Sequence, residues 1–161
     1  MKAERGAAPL TVEELAPEGL GSLLSLFDYR DPEAMLAENT RAILSGEISV
    51  FVLREGEHLL GELRVRRRSP DPRFASEGRR AYLYAFRIRE EAQGQGLGTS
   101  LLGAVLSSLA REGYREFTVG VEDENQAARR LYERHGFTEP LARIEESYQG
   151  DRYEYTLLLR A

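Results

Sequence analysis

The fold of this chain is decided by the stretch Gln93-Gly94-Gln95-Gly96-Leu97-Gly98-Thr99, in which three glycines alternate over five residues. A strand-like run from Ala81 to Ile88 precedes the glycines, and an apolar run of helical period follows them. Glycine lets a backbone approach a ligand closely. A helix that begins here directs unpaired amides and the positive end of its dipole to the same place. The order of strand, glycine-rich turn and helix therefore predicts an anion site, most often one for phosphate.

Two common nucleotide-binding loops fit this stretch poorly. A Walker loop requires a lysine directly after its last glycine, and none follows here. The dinucleotide fingerprint requires its third glycine at the position of Thr99, whereas this chain has it one place earlier, at Gly98. That fold also places its glycines in the first strand–helix unit, and here they lie past the middle of the chain. A nucleotide-binding oxidoreductase domain is therefore the weaker interpretation.

The segment before the glycine turn predicts a short strand, two helices and a β-hairpin. The strand is Leu10-Thr11-Val12. The first helix covers about 17–27, and its apolar face holds Leu20, Leu23, Leu24 and Phe27. The second helix covers about 32–44 with Asp31 as N-cap, and its apolar positions are Met35, Leu36, Ala42, Ile43 and Leu44. Partial alternation predicts two antiparallel strands over 48–54 and 59–67, joined through Gly56.

The segment after the glycine turn predicts a strand–helix–strand unit and a final pair of strands. The helix runs to about Arg111, and a buried stripe of helical period holds Leu97, Leu101, Leu102, Val105, Leu106 and Leu109. A strand over 116–121 should run parallel to the strand before the turn. Asn125 caps a helix over 126–135, and Gly136 suits a left-handed helix end. Strands then start near Phe137 and Tyr153, with a turn at Gln149-Gly150-Asp151.

Composition excludes several classes of site and protein. The chain has 161 residues, a net charge of -5, no cysteine and two histidines, His58 and His135. The absence of cysteine excludes disulfides, thiolate nucleophiles and Cys-ligated zinc, and the acidic balance does not favour nucleic-acid binding. No apolar run approaches the roughly 20 residues of a membrane span, and the start, Met1 to Gly6, lacks the apolar core of a signal peptide. We therefore expect a cytoplasmic protein that binds neither nucleic acid nor a membrane.

A second motif lies about thirty residues downstream. Residues 125–137 read N-Q-A-A-R-R-L-Y-E-R-H-G-F, and together with Gln93 to Gly98 they resemble the GNAT superfamily of N-acetyltransferases. The resemblance covers about 81–137, although Glu90 stands where the family usually has proline and Gln93 where arginine is commoner. It implies an α+β fold, with a mixed, mostly antiparallel sheet of about six to seven strands and about four helices on its faces. It also implies one acetyltransferase domain over 1–161, with a loose leader at 1–9.

The resemblance assigns roles to particular residues, with acetyl-CoA as co-substrate and no metal. The amides of Gln93, Gly94, Gln95, Gly96, Leu97, Gly98 and Thr99 would cradle the pyrophosphate. The backbone of Phe86, Arg87 and Ile88 would receive the pantetheine arm and an oxyanion. Asn125 would contact the pantetheine, and Tyr132 would protonate the leaving thiolate. Gly120, in the neighbouring strand, is predicted to mark a bulge that opens the sheet.

The implied reaction is direct attack of a primary amine on the thioester in a ternary complex, without a covalent enzyme intermediate. The general base is open between Glu62, Tyr84, Glu122 and a water chain. The acceptor is open between a small molecule and a peptide amine, and a homodimer is possible from family habit. The alternatives are an acyl-CoA-binding regulatory module with weak or no catalysis, and transfer of a longer acyl group.

One basic segment has two interpretations. Residues 64–80 hold seven arginines and two acids, Asp71 and Glu77. A functional interpretation is a patch for an anionic acceptor or for the 3′-phosphate of CoA. The structural interpretation, a solvated hairpin and loop, is the one we expect.

Overall fold

Seven strands and three α-helices form the chain in the computed structural model, which describes residues 8–148 and 150–161. The strands are β1 (Leu10–Glu14), β2 (Ile48–Glu55), β3 (His58–Arg66), β4 (Arg80–Ile88), β5 (Glu116–Val121), β6 (Glu139–Tyr148) and β7 (Asp151–Arg160). Their order in the sheet is β1-β2-β3-β4-β5-β7-β6. β1–β2, β5–β7 and β6–β7 are antiparallel, whereas β4 and β5 run parallel. The predicted mixed sheet and the predicted strand–helix–strand unit are confirmed.

The α-helices begin and end where their caps predict. They are α1 (Pro32–Leu44), α2 (Leu97–Arg111) and α3 (Gln126–Arg134). The Asp31 side chain accepts a hydrogen bond of 3.1 Å from the amide of Ala34, as an N-cap does. Gly136 has φ +90°, the left-handed conformation expected after α3. The predicted stripe on α2 is buried along its whole length, from Leu97 to Leu109.

The first predicted helix, over about 17–27, is a 3-10 helix rather than an α-helix. Residues Pro17–Ser25 form a 3-10 helix, and a second 3-10 turn covers Glu90–Ala92. With three residues per turn, side chains three apart share a face, so Leu20, Leu23 and Leu26 are the buried set. Leu24, predicted on that face from an α-helical period, is 41% exposed. In α1 the predicted apolar position Leu44 is likewise 74% exposed.

The regular pairing of β5 with β4 ends at Val119, one residue before Gly120, and on the β7 side Gly120 forms no bulge. It pairs with Leu157 in an unbroken register between β5 and β7 that runs from Phe117 to Val121. A Cβ at this position would lie 2.7 Å from the ring of Tyr155. The glycine is therefore required because an aromatic ring packs directly on the strand.

The chain divides into two compact units, and the predicted single domain over 1–161 stays a prediction. The first unit holds Met1–Val65 and Ala85–Ser107, and the second holds Arg66–Tyr84 and Ser108–Ala161. The core of the first unit contains the buried side chains of the 3-10 helix, α1 and β2, together with Leu15 and Leu59. A core cluster of the second unit contains Ile144, Tyr155 and Leu157 from β6 and β7. Residues 1–7 of the expected leader lie outside the described residues.

Candidate functional site

The glycine turn of the first unit presents unused backbone amides to solvent. Gly94 and Gly96 have φ of +76° and +77°, a region that only glycine adopts readily. Both residues are exposed, and a Cβ on either would meet nothing within 4 Å. The amides of Gly94, Gln95 and Gly96 donate to no other described residue. These donors directly precede the first turn of α2, which is the place where the sequence predicts an anion site.

The turn is anchored at both of its ends. The Gln93 side chain donates a 3.0 Å hydrogen bond to the carbonyl of Ile88, which ties the turn to the end of β4. Leu97 is buried and holds the start of α2. Arg89 extends this brace, because its guanidinium donates to the carbonyls of Leu59 and Ser25 at 3.0 and 2.9 Å. The amides are therefore held in place before any ligand arrives.

The end of β4 carries a strained residue that the sequence did not reveal. Ala85 has φ +50°, which costs a non-glycine residue roughly 1–2 kcal/mol. It directly precedes Phe86, Arg87 and Ile88, the backbone segment predicted to receive the pantetheine arm. The regular pairing of β4 with β5 runs from Arg80 to Leu83. Strain of this kind concentrates at functional positions, and alanine gives no signal for it.

Gly61 of β3 is a second contributor that sequence reasoning missed. A Cβ at this position would lie 2.6 Å from the Ile88 side chain and 2.7 Å from the carbonyl oxygen of Arg87. Gly61 is thus the residue that lets β3 approach the candidate segment of β4. A glycine inside a strand was the available signal, because it often marks a close backbone approach.

A buried ion cluster lies against the same segment in the first unit. Glu62 is fully buried, and its two carboxylate oxygens accept from Arg64 at 3.0 Å and from Arg87 at 3.1 Å. The Tyr29 hydroxyl accepts from Arg64 at 2.9 Å and from Arg87 at 3.2 Å. Burial raises the pKa of Tyr29, with the charge of Glu62 adding to the effect. Both carboxylate oxygens of Glu62 are thus already occupied by arginine donors inside the core, which weakens Glu62 as the general base.

The second unit holds the other two predicted site residues, Asn125 at the N-cap of α3 and Tyr132 within it. Asn125 caps the helix, since its side chain accepts a 3.1 Å hydrogen bond from the amide of Ala128. Tyr132 is the seventh residue of α3, with its ring 5.9 Å from that of Phe137. Burial, with a smaller contribution from Tyr82, raises the pKa of Tyr132 to about 12. The phenol therefore keeps its proton at neutral pH, as a proton donor must.

The other two candidate bases are Tyr84, which packs against an aromatic ring, and Glu122, which is exposed to solvent. Tyr84 stacks on Tyr82 with ring centroids 5.6 Å apart, and the Arg66 guanidinium lies 5.7 Å above its ring. Glu122 is exposed at the rim of a pocket of about 410 Å³ in the second unit. In that pocket Arg143 pairs with Asp123 at 2.7 Å and holds the pKa of that carboxyl below its usual value.

The arginines of residues 64–80 already have contacts. Each one lies against a carboxylate or an aromatic ring: Arg64 on Glu62, Arg66 over Tyr84, Arg67 on Glu112, Arg68 on Glu77, Arg73 on Asp71, and Arg79 and Arg80 on Glu116. These pairs favour the structural interpretation of the segment. Among the described residues, no three His, Asp or Glu side chains are grouped to hold a metal ion. No helix in the described part of the chain is long and apolar enough to cross a membrane.

Known proteins resemble this chain in sequence and in fold. A family model described as the Acetyltransferase (GNAT) family matches residues 18–137. A mycothiol acetyltransferase of Geodermatophilus obscurus is 39% identical over 90 residues, which cover 55% of this chain and 28% of that protein. A mycothiol acetyltransferase of Kocuria rhizophila is 31% identical over 154 residues, which cover 82% of this chain and 50% of that protein. The chain thus spans half or less of the length of either relative.

A solved structure extends the likeness to the whole chain. RimL, a ribosomal L7/L12 alpha-N-protein acetyltransferase in complex with coenzyme A, matches with a TM-score of 0.73 and 19% identity. The match covers 98% of this chain and 96% of that one. At this level of identity the likeness shows a shared fold.

Proposed function

Because this chain belongs to the GNAT family of acetyltransferases, we propose that it transfers an acetyl group from acetyl-CoA to a primary amine. The observation that carries the proposal is the glycine turn at the start of α2. Its amides are exposed, fixed and without acceptors among the described residues. A diphosphate is an anion that such a row of fixed amides can bind.

The residues of the first unit fit acetyl-CoA as co-substrate. The amides from Gln93 to Thr99 would bind its pyrophosphate, and no lysine is needed for that task. The backbone of Phe86, Arg87 and Ile88 would bind the amide-rich pantetheine as a strand edge binds a peptide. Acetyl-CoA supplies an activated thioester carbonyl, and an amide N–H on this segment would stabilise the oxyanion that forms there.

Two residues of α3 complete the proposed assignment through the family resemblance. Tyr132 is the proposed donor of a proton to the leaving thiolate, and its raised pKa keeps it protonated for that step. Asn125 is the proposed pantetheine contact, and its capping bond leaves the amide nitrogen of its side chain available. The base is proposed to be Glu122, Tyr84 or a water chain rather than Glu62, whose oxygens the arginines occupy.

The finer points of the proposal are the acceptor, the location and the assembly. An amine acceptor is supported by RimL, whose name describes transfer to a protein α-nitrogen. A cytoplasmic location and a homodimer are proposed from the composition and the family habit. The alternatives are an acyl-CoA-binding regulatory module and transfer of a longer acyl group.

The proposal is tested by following the CoA thiol that transfer releases. Since the chain has no cysteine, a thiol reagent reports released CoA without a background from the protein. The chain is incubated with acetyl-CoA and a broad panel of amines, and we expect release that depends on the amine. Binding of acetyl-CoA without release by any amine would favour the regulatory module instead. Faster release from propionyl-CoA or a longer thioester would favour the longer acyl group.

A further inference from the structure

The Arg87 side chain is held in one orientation by three different contacts. Its Nε donates to Glu62 at 3.1 Å, and its Nη2 donates to Glu62 and, at 3.2 Å, to the Tyr29 hydroxyl. The guanidinium carbon lies 3.8 Å from the centroid of the Phe27 ring, within the range of a cation–π contact. The partner Glu62 is fully buried and is itself held by Arg64. The guanidinium therefore has little rotational freedom left to lose when it binds a ligand.

One end of this guanidinium remains available. Among the described residues, no group accepts a hydrogen bond from Nη1 of Arg87. The Arg87 side chain as a whole is 38% exposed, whereas that of its partner Glu62 is 0% exposed. Arg89, two residues along, differs, because its three guanidinium nitrogens have acceptors on Leu59, Ser25 and Glu91. Arg89 is a brace, whereas Arg87 offers two N–H groups in a fixed position.

From this geometry we infer that Arg87 binds an anionic group on the acceptor, so that the acceptor is an amine that also carries a carboxylate. A fixed guanidinium with two unused N–H groups on Nη1 favours an anionic acceptor such as a carboxylate, because a charge-assisted hydrogen bond is stronger than one to a neutral group. Glu62 and Tyr29 position the guanidinium, and Arg87 makes the contact.

The inference rests on the proposed function and narrows its acceptor. The backbone of Arg87 belongs to the segment proposed to orient the thioester. A carboxylate on Nη1 would therefore lie within one arginine side chain of the reacting carbon. The amine of the same molecule must reach that carbon, so only a few bonds can separate amine and carboxylate. An α-amino acid, or a short amino acid of similar spacing, satisfies this condition.

The first experiment compares matched acceptors on the wild-type chain. Each proteinogenic L-amino acid and its carboxamide is supplied with acetyl-CoA, and CoA release is followed with a thiol reagent. Loss of a charge-assisted hydrogen bond should lower kcat/KM for the carboxamide by about tenfold or more. If an amino acid and its carboxamide reacted with equal kcat/KM, the inference would be overturned. Transfer to simple amines but to no amino acid would also overturn it. Either result leaves the proposed function standing. If no amine of any kind caused CoA release, the proposed function itself would be overturned, and the inference with it.

The second experiment assigns the preference to Arg87. Arg87→Met removes the guanidinium while its stem still covers Phe27, and Arg64 still pairs with Glu62. We expect KM for the amino acid to rise by about tenfold or more and the preference for the amino acid over its carboxamide to be lost. Arg41→Met is the matched control, because Arg41 is an exposed arginine of the same unit that pairs with Glu47 at 3.3 Å. An unchanged preference in Arg87→Met would overturn the inference.

A third measurement does not depend on how the variant folds. The 2-hydroxy acid that corresponds to the best amino acid keeps the carboxylate and lacks the amine. It should compete with the amino acid in the wild-type chain, and its amide should not. Absence of competition by the 2-hydroxy acid, or equal competition by both compounds, would overturn the role of the carboxylate.

Discussion

Tyr132 is the residue whose protonation state bears most directly on the proposed chemistry. Burial raises its pKa to about 12, so it is a neutral phenol throughout the physiological range. A phenol in this state can give a proton to a departing thiolate. It is too weak an acid to lose its proton to bulk water beforehand. The role of proton donor is assigned by the family resemblance, and the pKa leaves the phenol protonated for it.

Replacing Tyr132 by phenylalanine tests this role. We expect Tyr132→Phe to lower kcat by on the order of 10²-fold or more, with acetyl-CoA affinity nearly unchanged, because only the transferable proton is lost. Steady-state kinetics and calorimetric titration with acetyl-CoA measure the two quantities. Tyr153→Phe, at an exposed tyrosine of the same unit, is the control and should retain activity. Unchanged turnover in Tyr132→Phe would remove this residue from the mechanism.

Substitution of Gly96 can distinguish the cost of backbone strain from the loss of contact with acetyl-CoA. Gly96 and Gly78 have nearly the same φ, +77° and +78°, and a Cβ on either would meet no protein atom within 4 Å. Alanine at either position should therefore cost a similar free energy of unfolding, roughly 1 kcal/mol. Only Gly96→Ala should weaken acetyl-CoA binding, since its methyl group would intrude on the phosphate cradle. Equal acetyl-CoA affinity of the two variants in calorimetric titration would contradict the proposed cradle.

At the scale of the element, a glycine in strand β5 and a glycine in helix α2 have opposite effects on stability. Gly120 of β5 lies under the Tyr155 ring, whereas Gly103 of α2 has nothing within 4 Å of its Cβ position. The first glycine makes room for a packed ring, and the second only weakens its helix. The sequence alone does not distinguish these cases, because both positions lie inside regular elements.

The two glycines predict opposite changes in stability. Gly120→Ala should lower the free energy of unfolding by about 1–3 kcal/mol, because the methyl group would force the Tyr155 ring or the strand to move. Gly103→Ala should raise it by roughly 0.5–1 kcal/mol through helix propensity. Denaturant titrations followed by circular dichroism measure both values. A neutral effect of Gly120→Ala would mean that the ring moves aside without cost.

At the scale of the whole molecule, tyrosine ionisation should limit stability at alkaline pH. The pKa values of Tyr82, Tyr132 and Tyr155 are raised, in each case first by burial. An unfolded tyrosine loses its proton near pH 10, so above that pH the unfolded state binds fewer protons than the folded state. The free energy of unfolding should therefore be at its full value below about pH 10 and fall as the pH rises toward 12.

The contribution of Tyr132 to this fall can be measured. A pKa displaced from about 10 to about 12 corresponds to roughly 3 kcal/mol between these pH values. Tyr132→Phe has no phenol to ionise, so its stability should fall less over the same range. Denaturant titrations of both proteins at pH 9, 10, 11 and 12 provide the comparison. If the free energy of unfolding fell equally with pH in the two proteins, Tyr132 would not be protected from ionisation.

Much of the candidate site was predictable because its signals are local. The glycine turn, the caps Asp31 and Asn125, and the buried stripe of α2 depend on residues close together in sequence. Hydrophobic period and capping chemistry act over a few residues, so a single sequence displays them. The family resemblance added the assignments of Tyr132 and Phe86 to Ile88, and those assignments remain proposals.

The sequence by itself thus determined the family, the order of elements and the place of the glycine turn. Only the tertiary structure decided that Pro17–Ser25 is a 3-10 helix, that the backbone strain lies at Ala85, and that Gly120 lies under a ring. It also decided that Glu62 is held by Arg64 and Arg87. The physical reason is that these contacts join residues that are far apart in the sequence. Tyr29, Glu62 and Arg87 are separated by 33 and 25 residues, and the pairing of buried charges is set by which side chains packing brings together.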